Sequence, residues 1–72
     1  MGVIMTRQDV INALKQAGIS EHQAEQVGYL YTQFGALQRT AKGYEIKSLD
    51  YFNADTVRKA AANPMFPRNL TW

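Results

Sequence analysis

Apolar residues recur at helical spacing twice in the first half of the chain. Val10, Ile11, Leu14 and Ala17 share one face of a helix predicted over residues 7–17, because side chains three and four positions apart are neighbours on a helix surface. Thr6-Arg-Gln-Asp9 reads as an N-cap followed by polar residues. Gly18 is placed to end this helix in the left-handed conformation, with Ile19 supplying the apolar contact that accompanies such an end. Ser20 restarts the chain as a second N-cap, and Glu21 and Gln23 suit a first turn. The second helix is predicted over residues 21–39, with Ala24, Val27, Leu30, Tyr31, Phe34 and Leu37 on one broad face. Gly28 and Gly35 each cost it roughly 1 kcal/mol against Ala, so a kink or an end is expected near Gly35. Lying on nearly the same face, the two glycines also offer another helix a close approach.

Lys42-Gly43 marks a loop. Beyond it residues 45–52 begin as a strand or a short helix that buries Ile46 and Leu49, with Phe52 filling the turn. Asn53 then caps a helix anchored by Val57 and Ala61, and Asn63-Pro64 stops it, since the residue before a proline is pushed out of the helical region. The tail at 65–72 is read as extended, with Phe66 and Leu70 folding back. The expected fold is mostly α: a small single domain over 1–72 with three or four short helices. It divides into a helical hairpin at about 6–40 and a helix-turn-helix with an extended tail at about 44–72, winged-helix-like at the C-terminal end.

Size and composition narrow the function. A chain of 72 residues buries only about 60% of the surface its unfolded form exposes, and it has no cysteine, which excludes disulfides, thiolate metal sites and a cysteine nucleophile. A homo-oligomer is therefore the expected source of the missing stability. No apolar run approaches the ~18 residues of a membrane span, and none forms a signal-peptide core, so the expected location is cytoplasmic. Gly2 and Thr6 match a myristoylation pattern, but no basic cluster adds the second anchoring signal, so no membrane partner is expected. His22 stands beside Glu21 and Glu25, yet one His/Glu pair cannot close a coordination shell and the chain has no second histidine. Glu45, Asp50 and Asp55 read as surface carboxylates. The expectation is a protein with no enzymatic activity, no metal and no cofactor.

Charge is uneven along the chain. Residues 1–33 set Arg7 and Lys15 against Asp9, Glu21 and Glu25, whereas residues 34–72 set Arg39, Lys42, Lys47, Arg58, Lys59 and Arg68 against Glu45, Asp50 and Asp55. A basic end of this kind suits phosphate, because cations near nucleic acid release condensed counterions. The run at 16–20 resembles the turn of a helix-turn-helix unit. Glu21 and Glu25 would face phosphate with the wrong charge, however, which favours a plain helical hairpin there.

The run Asn53-Ala-Asp-Thr-Val-Arg-Lys59, followed by Phe66-Pro67-Arg68, resembles the phage excisionases and AlpA-type prophage regulators. The resemblance covers residues 45–70, and where that family carries an aromatic after the arginine this chain has alanines at 60–62. It implies a winged-helix binder of duplex DNA, with Thr56, Arg58 and Lys59 on the helix entering the major groove. Asn53 would stand at its cap and Arg68 at the base of the wing. The leading expectation is thus a small DNA-binding regulator of phage or mobile-element type. The alternative is a helical protein-interaction module, binding a host protein or a second copy through the cluster Tyr29, Leu30, Tyr31 and Phe34.

Overall fold

The first two helices begin as their sequences predict. A computed structural model describes residues 4–63, 66 and 70–72, and in it α1 (Arg7–Lys15) starts on a full capping box in which Thr6 and Asp9 exchange side-chain and backbone hydrogen bonds. Helix α2 (Glu21–Phe34) starts on a second one, with Ser20 and Gln23 as partners. Each box satisfies two amides that the helix itself leaves unpaired. Gly18 lies at φ +88° in the connection between the helices, as its position predicts.

The expected run of helix to residue 39 is corrected by Gly35. At φ +82° it takes the left-handed conformation that closes α2, so the chain turns away after Phe34. It continues as β2 (Leu37–Thr40) and β3 (Gly43–Ile46). With β1 (Ile4–Met5) these form a three-stranded antiparallel sheet in the order β1-β3-β2. Leu37 pairs with Ile46 and Arg39 with Tyr44, while Met5 also meets Tyr44 from the other side. The expected helices make up most of the regular structure, but the chain is not purely helical, because this sheet joins them. A 3-10 turn (Leu49–Phe52) then leads into α3 (Ala54–Ala61), which starts on the Asn53 cap.

One core joins all three helices to the sheet. Val10, Ile11 and Leu14 of α1 meet Ala24, Val27 and Tyr31 of α2, Leu37 and Tyr44 of the sheet, and Val57 and Ala61 of α3. Two residues expected inside lie outside. Phe34, at the last position of α2, is 64% exposed, and Leu49 is 75% exposed, because the tight turn packs Phe52 against the core instead. The expected close approach of a helix to Gly28 and Gly35 is also revised: Gly28 meets the indole of Trp72, and among the described residues a Cβ at Gly35 would meet nothing within 4 Å. Phe66 and Leu70 are half-buried, and Arg68 lies outside the described residues.

Candidate nucleic-acid interface

Two surfaces carry the candidate residues. On α3, Asn53 is occupied by the fold: its Oδ1 accepts from the Thr56 amide at 2.9 Å and its Nδ2 donates to the Asp50 carbonyl at 2.6 Å. Arg58 is held as well, by Asp55 at 2.6 Å and by the carbonyl of Ala17 at 3.3 Å. The guanidinium thereby ties α3 to the connection between α1 and α2. Thr56 is half-buried in an open depression shared with Asp50 and Tyr51. Lys59 is exposed and has no ion pair among the described residues.

The second surface is α2 with the β2–β3 hairpin, which sequence reasoning set aside because of Glu21 and Glu25. Both acids are paired within the molecule, Glu21 with Lys15 and Glu25 with Arg7, each at 3.7 Å. Their field is thus offset locally. What α2 turns outward is a polar stripe of His22, Gln26, Tyr29 and Gln33, spaced three and four positions apart. Gln26 Nε2 lies 3.4 Å from His22 Nε2, within reach of a hydrogen bond along the stripe. Arg39 and Lys42 are exposed on the hairpin without ion pairs among the described residues. Arg39 pairs with Tyr44 and lies two positions from Leu37, and side chains two apart on a strand share a face. It therefore projects from the side of the sheet that carries the buried Leu37 and Tyr44.

The alternative cluster does not form one surface. Tyr31 is in the core, with its hydroxyl donating to the Tyr51 carbonyl and its ring meeting Tyr51 and Phe52 edge-on at 5.6 and 5.3 Å. Burial, and secondarily the neighbouring Tyr51, push its phenol up to about 12. Leu30 packs against the core, Tyr29 is half-buried on the polar side, and Phe34 is exposed.

No family model, curated protein or solved structure matches the chain. Its chemistry is therefore read from its own side chains. Among the described residues no three His, Asp or Glu side chains come together to hold a metal ion, and no helix is long and apolar enough to cross a membrane. Sequence reasoning missed the two ion pairs that offset Glu21 and Glu25. Lys15 precedes Glu21 closely enough in the chain to be suspected, whereas the pairing of Arg7 with Glu25 depends on how α1 packs on α2.

Proposed function

We propose that the protein is a small non-enzymatic DNA-binding regulator that reads duplex DNA with α2 and braces it with the β2–β3 hairpin. Two helices joined by a tight connection and followed by a hairpin make the arrangement of a winged helix, and a helix of this kind fits the major groove. The observation that carries the reading is the pairing of Glu21 and Glu25 with Lys15 and Arg7. It leaves α2 a polar outer face whose acids are offset, while the hairpin carries Arg39 and Lys42 without ion pairs among the described residues. Glutamine can contact adenine through two hydrogen bonds, which gives Gln26 and Gln33 a reading role, while Arg39 and Lys42 meet phosphate. The resemblance to excisionases rests on residues 53–59 and 66–68, and within its described part Asn53 and Arg58 already serve the fold.

A titration with random-sequence duplex DNA over a range of salt concentrations tests this. Changing Arg39 and Lys42 together to alanine should weaken binding about tenfold at low salt and flatten the salt dependence by nearly two, since each neutralised phosphate contributes about 0.9 to the slope. The double change at Arg58 and Lys59 should do less. If it does more, α3 is the reading helix, and if the unchanged protein does not bind at low salt the DNA reading is lost.

A second reading, self-association, is favoured by one observation. Phe34 is 64% exposed with its ring 6.5 Å from that of Tyr51, itself 39% exposed, and a chain this small gains stability from a partner surface. The expected result is a thermal midpoint that rises with protein concentration and loses that rise in Phe34→Ser. A monomer at high micromolar concentration with a fixed midpoint removes it.

A further inference from the structure

Trp72, the one tryptophan of the chain, sits where three elements meet. Its indole N–H donates to the Glu25 carbonyl of α2 at 3.0 Å. Its ring meets the Tyr44 ring of β3 edge-on at 5.1 Å, and the Arg7 guanidinium of α1 lies 4.7 Å over it. Arg7 also pairs with the Glu25 carboxylate, which closes the circle around the indole. The floor is Gly28, where a Cβ would come within 2.2 Å of the ring. Glycine inside a helix is unfavourable relative to alanine, so the bare backbone at 28 trades helix stability for room.

We propose that Trp72 is a positioning residue for α2: its indole is a wedge that fixes the spacing between the outer face of α2 and the hairpin, and Gly28 is the seat that admits it. A ring held on three sides, with its polar atom satisfied, orders its neighbours as well as burying area. Tyr44 pairs directly with Arg39 across the hairpin, so what the indole does to Tyr44 is transmitted to a cation of the proposed interface. This last step rests on the DNA reading above; the wedge itself does not.

The absence of cysteine allows the spacing to be measured directly. Spin labels on Gln33→Cys and Lys42→Cys report the distance between the outer face of α2 and the hairpin, and Trp72 emission reports whether the indole is seated. In the parent a single narrow distance and a blue-shifted emission are expected. Gly28→Ala, although a better helix former, should expel the indole, shift the emission to the red and broaden the distance distribution with helix content retained. Trp72→Ala should broaden it similarly, and Trp72→Phe, which keeps a ring but loses the N–H, should restore most of the narrowness.

A distribution in Trp72→Ala that superimposes on the parent overturns the inference, and so does an indole that stays seated in Gly28→Ala. If Gly28→Ala does not fold, the Ala and Phe changes at position 72 decide alone by the same comparison. With duplex DNA at low salt, Gly28→Ala should bind about tenfold more weakly than the parent; equal binding by a variant with a broadened distance would show that the spacing does not serve recognition. A parent that does not bind removes the DNA reading and leaves the wedge to be judged by the distances.

Discussion

Tyr31→Ala should lower the unfolding free energy by about 3 to 5 kcal/mol, the range for truncating a large buried aromatic. A chain of this length has roughly 4 to 11 kcal/mol in total, so the loss is a large fraction of the whole. The cost has named sources: a core ring that is 1% exposed, its edge contacts with Tyr51 and Phe52, and a Tyr51 carbonyl left without its donor. Tyr29→Ala, on the half-exposed side of the same helix, should cost far less. Urea titrations of the two variants check this, and equal midpoints would contradict the placement of Tyr31 as the pin between α2 and the 3-10 turn.

The same residue sets an alkaline limit. Because the folded phenol ionises near 12 and an unfolded one near 10, the unfolded state loses its proton first as pH rises. The neutral ring's stabilisation is complete below about pH 10 and is lost progressively between about 10 and 12. Tyr31→Phe, which has no proton to lose, should remove that part of the alkaline slope.

Gly43→Ala is expected to cost about 2 to 6 kcal/mol, from two penalties that fall on one atom. Position 43 lies at φ +147°, which side chains rarely adopt, and its Cβ would come within 2.4 Å of the Met5 carbonyl oxygen. Strained backbone costs about 1 to 3 kcal/mol and overpacking typically another 1 to 3. The oxygen belongs to the backbone of β1 and cannot swing aside like a side chain, so β1 should detach from β3. Gly35→Ala separates the terms, because it has positive φ but nothing within 4 Å. Its smaller loss should leave the amides that link β1 and β3 protected from hydrogen exchange, while Gly43→Ala exposes them. Equal protection in both variants would show that β1 is not seated on Gly43.

What the chain reveals before folding is mostly what neighbouring residues decide among themselves. Thr6, Ser20 and Asn53 cap the helices they were expected to cap, because a cap joins residues three apart. Leu37 shows the limit of that locality. It fits the helical period and is buried as expected, but it is buried as a strand residue, because a left-handed Gly35 changes the period behind it. Strands as short as Leu37–Thr40 and Gly43–Ile46 leave too few alternations to be recognised. Phe34 and Leu49 fail for a different reason: periodicity says which side chains are apolar, but not which of them finds a neighbour. The candidate interface was hidden in the same way. Counted along the sequence, Glu21 and Glu25 make α2 acidic; in space each has a cation beside it.

The double role of Tyr44 has a consequence for the order in which the molecule assembles. Met5 of β1 pairs with it and Trp72 meets it edge-on, so segments near opposite ends of the described chain converge on one strand. Both are long loop closures, whose entropy must be met before their contacts repay it. The α1–α2 hairpin closes a short loop and can form early, and β3 must be in place before either end has anywhere to dock. β1 and Trp72 should therefore be late arrivals, and in the native state the first to leave: one opening event, exposing the amides of β1 and the indole together, well below the free energy of global unfolding.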